Sequence, residues 1–185
     1  MDLGSSVIAL KIRHCFKMPV LRSFLPVINS RSKVLILGAM PGARSLEAGE
    51  YYAYQQNQFW KIMAKLLHYG LPVTYAQKKK MLLKNRIALW DVVASCTREG
   101  SLDSNIRNVK ANDLDGLLKK YTNIRAIFCN GNTAFKFFKE GHAGCPVPVL
   151  LLPSTSPAHT KPLAWKAAQW ERILKVLTED RGVFF

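Results

Sequence analysis

Four short apolar runs punctuate the chain, at residues 34–37, 87–93, 124–129 and 147–152. Each is rich in branched residues and each ends in turn chemistry. Runs of this length without polar alternation fit strands buried on both faces, as in a parallel sheet. Between them, apolar residues recur at helical spacing. The segment from Asn57 carries Phe59, Trp60, Met63, Leu66 and Leu67. Residues 74–84 follow, with Met81, Leu82 and Leu83. Asn112 is placed to cap a helix carrying Leu114, Leu117 and Leu118. Residues 134–138 form another short helix after Gly131. The last helix starts near Pro162 and buries Leu163, Trp170, Ile173, Leu174 and Leu177.

This strand–helix alternation predicts an α/β fold, a parallel sheet with helices on both faces. Right-handed crossovers put all four strand ends on one side. Ligands of open parallel sheets bind there, outside the carboxyl ends of the strands. That side collects residues 38–42, 91–96, 130–132 and 153–159. No internal repeat or low-complexity segment interrupts the pattern.

Composition narrows the picture. The 185 residues suit one domain with a substantial core, and 49% hydrophobic with 21% charged residues suits a globular rather than a disordered chain. No apolar run reaches the length of a membrane span. The formal charge of +15 points to a polyanionic partner, nucleic acid ahead of an anionic membrane, because no strongly amphipathic basic helix is present. Lys78, Lys79 and Lys80 read as a solvated helix face. Cys15, Cys96, Cys129 and Cys145 form no C-x-x-C pair, so no metal site is expected. Cys129 reads as a buried thiol, and free thiols suit a reducing cytoplasm.

The strand ends carry the chemistry. Gly38-Ala39-Met40-Pro41-Gly42 has neither the Lys of a phosphate-binding loop nor the glycine spacing of a dinucleotide site. Met40 cannot act as a general base. The stretch Tyr51-Tyr52-Ala53-Tyr54-Gln55-Gln56-Asn57-Gln58-Phe59-Trp60 offers rings to stack a base and amides to read one. Adjacent on a helix, Phe59 and Trp60 point in different directions, so one can face a pocket while the other packs in the core. Asn57 is either a helix cap or a carboxamide that orients water or a base. Asp91, inside an apolar run, is either a base-reading carboxylate or a structural cap of the turn at 101–105. In Pro153-Ser154-Thr155-Ser156-Pro157, two prolines stiffen a hydroxyl-rich loop suited to phosphate contacts, or simply form a surface turn. His159 reads as a surface histidine before a catalyst.

Taken in order, these segments resemble the uracil-DNA glycosylase superfamily from about residue 33 to 177, most of all its hypoxanthine-DNA glycosylase family. The resemblance implies a three-layer α/β/α arrangement around a four-stranded parallel sheet, with residues 33–185 as the single domain and 1–32 as an extension. It implies hydrolysis of the N-glycosidic bond of a deaminated base, without a cofactor, on a base flipped out of DNA. Many superfamily members carry an activating Asp or Asn at the position of Met40. The hypoxanthine family instead uses an Asn matching Asn57, which becomes the expected catalytic residue. Phe59 matches the stacking ring, and Asp91 stands where the superfamily often has a base-reading Asn. Gly38, Ala39 and Met40 complete the expected base site. Pro41, Gly42, Pro153, Ser154, Thr155, Ser156 and Pro157 are the expected DNA contacts. An ionised Asp91 would accept from hypoxanthine N1–H while backbone N–H groups after Gly38 donate to O6. The expected partner is DNA with a deaminated base, met by a monomer and without a membrane. The compartment is cytoplasmic in a prokaryote, and nuclear or organellar in a eukaryote. Two alternatives stand: a uracil glycosylase for G·U mismatches, and a non-catalytic nucleic-acid-binding domain.

Overall fold

The computed structural model describes residues 19–178. Its centre is a parallel four-stranded sheet of β2 (Val34–Gly38), β3 (Ile87–Asp91), β6 (Ala126–Asn130) and β7 (Val149–Leu152), in the order β3-β2-β6-β7. Every residue of β2 and β3 is buried. That is the arrangement their unbroken apolar runs predict.

Helices pack against this sheet. They are α1 (Ala43–Ala48), α2 (Phe59–Leu66), α3 (Tyr75–Lys84), α4 (Leu114–Lys120), α5 (Asn132–Gly141), α6 (Leu163–Trp170) and α7 (Arg172–Thr178). From β2 the chain crosses outward to β3, then returns past β2 to β6. Right-handed crossovers in these opposite directions put their connections on opposite faces. The direction reverses between β2 and β6, so the crevice for a ligand opens at Gly38 and Asn130.

Local sequence accounts for most helix starts. Thr74 and Gln77 form a reciprocal capping box at α3. At α4 the cap is Asp113, which accepts from Gly116 N–H at 2.8 Å. Asn112, expected to be that cap, instead donates its amide to the backbone oxygen of Asp91 at 2.9 Å. The expected last helix is two, α6 and α7, which part at Glu171. The short α1 has no counterpart in the apolar pattern.

A second sheet is antiparallel, in the order β1-β4-β5, with β1 Val20–Arg22, β4 Val93–Thr97 and β5 Arg107–Ala111. The apolar run 87–93 is therefore divided. β3 ends at Asp91, and the chain enters this second sheet at Val93. Of the segment set apart as an extension, residues 1–18 lie outside the described residues. The part from Val20 onward packs on the domain, through β1 on β4 and a bridge from Val27 to Leu89. Cys96 and Cys129 are buried free thiols, and burial pushes Cys129 up to about 12.

Candidate active site

Gly38 ends β2 directly beside Asp91 at the end of β3. A Cβ on Gly38 would collide with Asp91 Oδ1 and lie 3.2 Å from the Tyr52 hydroxyl. Glycine here lets a carboxylate and a phenol converge on the mouth of the sheet. Asp91 is only 3% exposed. Ser23 Oγ donates to its Oδ2 at 2.9 Å, which leaves Oδ1 over Gly38. Burial pushes the carboxyl up to about 7, and the nearby Asp103 adds to the rise. Ser23, Arg98 and Tyr51 oppose it. Near neutral pH this group exists both as an acceptor and as a donor.

Arg98 is buried and clamps the first turn. Its Nη2 donates to Pro41 O at 2.5 Å and its Nε to Gly100 O at 3.2 Å. Asp103 Oδ1 lies 3.9 Å from Nη1. Ser101 Oγ accepts from Ala43 N–H at 3.1 Å, tying the 100–105 loop to the start of α1. Ala39, Met40 and Pro41 are buried within this turn, and Gly42 is half-exposed at its edge. Pro41 was expected to contact DNA. Its side chain is buried and its carbonyl belongs to Arg98, so only Gly42 of the pair borders solvent.

The aromatic loop sorts its rings differently from expectation. Phe59 is fully buried, and Tyr52 lies flat on it with centroids 4.0 Å apart and planes 20° from parallel. Trp60 and Trp170 meet Phe59 edge-on. Trp60 is buried too, its indole donating to Tyr51 O at 2.9 Å. Neither member of the Phe59–Trp60 pair presents a free face. The ring beside Asp91 and Gly38 is Tyr52. Its hydroxyl accepts from Asn130 Nδ2 at 3.0 Å, and that amide also reaches Thr155 Oγ1 at 2.9 Å. Thr155 N–H returns a bond to Asn130 Oδ1 at 2.9 Å. Tyr52 has a φ of 54°, unusual for a bulky residue. The ring stack and the Asn130 bond hold it there.

Asn57 lies at the start of α2. Its Oδ1 accepts from Phe59 N–H at 3.0 Å, an Asx turn that leads into the helix, whose N-cap is Gln58. Among the described residues its Nδ2 makes no hydrogen bond. Gln58 N–H donates to Thr155 O at 2.9 Å, so this segment and the last loop touch through their backbones.

That loop is held from beneath. Trp170 Nε1 donates to Pro153 O at 2.9 Å, and the buried Lys166 Nζ to Ser156 O at 3.1 Å. Burial lowers the Lys166 pKa. The hydroxyls of Ser154 and Ser156 accept from the N–H groups of Ser156 and Ala158, each two residues on. Pro157 is exposed, and Thr155 is fully buried in the Asn130 network. His159 is half-buried beside Trp165.

Sequence reading missed Tyr52, Asn130, Arg98 and Ser23 as site residues. Tyr52 and Asn130 lay inside segments already singled out. Arg98 and Ser23 gave no local signal. Among the described residues no group of His, Cys, Asp or Glu is arranged to hold a metal, and no helix is long and apolar enough to cross a membrane.

Comparison with known proteins identifies the family and the fold. A protein of Methanosarcina acetivorans named hypoxanthine DNA glycosylase is 32% identical over 155 residues, 83% of this chain and 98% of its own length. One of the same name from Methanosarcina barkeri is 29% identical over 156 residues, with the same coverage. A solution NMR structure from Methanosarcina acetivorans, of a candidate uracil DNA glycosylase, superposes with a TM-score of 0.76 at 31% identity. It covers 87% of this chain and 100% of its own. The described fold, a four-stranded parallel sheet with helices, is thus shared with that structure. Residues 25–178 match the Uracil DNA glycosylase superfamily, and the chain belongs to that family.

Proposed function

We propose that this protein is a DNA glycosylase that hydrolyses the N-glycosidic bond of a flipped, deaminated base, with hypoxanthine as its substrate. The observation that carries the reading is the pairing of Asp91 with Tyr52 at the mouth of the sheet. A buried carboxylate fixed through one oxygen stands beside a ring fixed by Phe59 and Asn130. The names of two relatives support the choice of base.

In this reading Tyr52 supplies the stacking surface that the sequence had assigned to Phe59, and Phe59 backs it. Ionised Asp91 accepts from hypoxanthine N1–H through Oδ1, while backbone N–H groups of Ala39 and Met40 donate to O6. Adenine has an acceptor at N1 and leaves Asp91 unpaired, which disfavours it. The positive surface binds phosphates, with Gly42 and the 153–157 loop at the rim.

As the glycosidic bond breaks, the sugar becomes cation-like and the departing base gathers negative charge. The oxygen of Asn57 is committed to its helix, so its NH₂ is the functional end. It donates to the leaving base or to the oxygen of the attacking water. An amide is not a general base, so rate comes from positioning and electrostatics. Water is the only co-reactant, and neither a Schiff base nor a cofactor is needed.

Single-turnover release from oligonucleotides carrying one hypoxanthine, uracil or xanthine, duplex and single-stranded, tests the reading. Fast hypoxanthine release with little uracil release supports it. Preferential uracil release replaces it with a mismatch-uracil role. Binding without release of any base replaces it with a non-catalytic domain.

A further inference from the structure

A groove of about 300 Å³ opens beside the 153–157 loop. Gly131, Asn132, Ser154, His159, Trp165 and Gln169 are among the residues lining it. This volume is at the low end for small-molecule pockets, suited to one flat ring system. Two of the lining residues are aromatic. The rings of His159 and Trp165 lie 29° from parallel with centroids 6.1 Å apart. The two form a stacked pair, within the ordinary centroid range of about 4.5–7 Å for aromatic contacts. A planar group can therefore stack on the part of Trp165 that His159 leaves exposed.

The surroundings match a nucleobase. Trp165 is 43% exposed, an unusual state for so large an apolar ring. Lys161 Nζ lies over its ring, 5.7 Å from the centroid. The amides of Asn132 and Gln169 each offer both donors and acceptors, which suits any base edge. His159 Nδ1 is buried without a hydrogen-bond partner.

Helix α6 links this groove to the site already described. Lys166 and Trp170, one turn apart, hold the carbonyls of Ser156 and Pro153. Trp165 and Gln169, each one residue earlier, line the groove. Thr155 bonds Asn130, which also bonds Tyr52, while its neighbour Ser154 lines the groove. A strand gripped at this loop would thus run along both the Tyr52 network and the groove.

We infer that this groove is a second nucleobase site, in which an unpaired base flanking the one to be excised stacks on Trp165. The inference rests on the DNA reading above. It assigns the protein a preference for lesions whose neighbour is unpaired, with little regard for that neighbour's identity, because every base has a stacking face.

The test uses short single strands with an abasic residue at the centre, so that the lesion site draws no base. The flanking residues are thymidine or further abasic residues, and binding is followed by fluorescence anisotropy. Wild type is expected to bind the thymidine-flanked strand about tenfold more tightly. W165A should reduce that ratio below about twofold, and W165F should retain most of it. Equal wild-type binding of the two strands overturns the inference, as does a ratio unchanged in W165A. Hypoxanthine release from single-stranded and fully paired oligonucleotides is measured alongside. Its absence from both in wild type defeats the proposed function, whereas the binding ratio alone decides the groove.

Discussion

The two sheets of this protein divide the work differently. The parallel sheet brings Gly38, Asp91 and Asn130 to one mouth on strands that are almost wholly buried. The antiparallel sheet is narrow, and its β5 is exposed at every residue. Yet it adjusts the site from behind. Ser23 follows β1 and holds Asp91, while Arg98 follows β4 and holds Pro41. One sheet carries the groups that the proposed function presents to a base. The other bonds them from behind.

Variants at the mouth and variants behind it should therefore fail in different ways. The largest effect belongs to Asn57→Ala. Losing one well-placed donor lowers a rate by roughly 10²–10³-fold in a comparable setting. Single-turnover base release should fall by that order with DNA binding kept, and near-normal rates would remove Asn57 from the chemistry. Next is Asp91. Its folded-state pKa, about 7, stands above the ordinary 3.8. The folded state therefore holds a proton that the unfolded chain has released, and stability declines as pH rises between those values. From pH 5 to pH 7 the loss is about 2–3 kcal/mol from this group. Asp91→Asn should flatten that slope in denaturant titrations at successive pH values. In the wild type, discrimination of hypoxanthine from adenine should sharpen as pH rises through about 7, and a pH-independent ratio would remove the proposed reading role.

Smaller effects sharpen the contrast. Tyr52→Ala should weaken productive base binding about tenfold, the worth of one stacked base. Tyr52→Phe keeps the ring and should recover most of it. If Tyr52→Ala were silent, the stacking role would return to Phe59. Ser23→Ala acts from behind the mouth. It removes a bond to the ionised form, so the midpoint of the pH–rate profile should move up by about one unit, with the plateau rate kept. A lowered plateau with an unmoved midpoint would make Ser23 merely structural.

The parallel sheet was legible because its strands are buried on both faces, and such strands leave continuous apolar runs. The ribbon was illegible for the opposite reason. β5 reads Arg107, Asn108, Val109, Lys110, Ala111, with no buried face to impose alternation. Asp91 stood out because a carboxylate in an apolar run demands a partner. Its partner Ser23 lies 68 residues away in sequence, in a segment set aside as an extension. Tyr52 and Phe59 were both visible as rings, but their order from pocket to core was not. It depends on the positive φ at Tyr52, which no local pattern foretells. Asn112 was misjudged because Asp113, beside it, is an equally good cap, and only the tertiary contact with Asp91 O separates their roles.

Gly38 and Asp91 also share one volume, since the space a side chain at 38 would fill already holds a carboxylate oxygen. Position 38 therefore cannot drift independently of position 91. A larger residue at 38 needs the carboxylate at 91 to shorten or swing aside, whereas 91 can change to a group of its own size with 38 still glycine. The dependence runs one way: the residue at 91 must make room before the residue at 38 can grow.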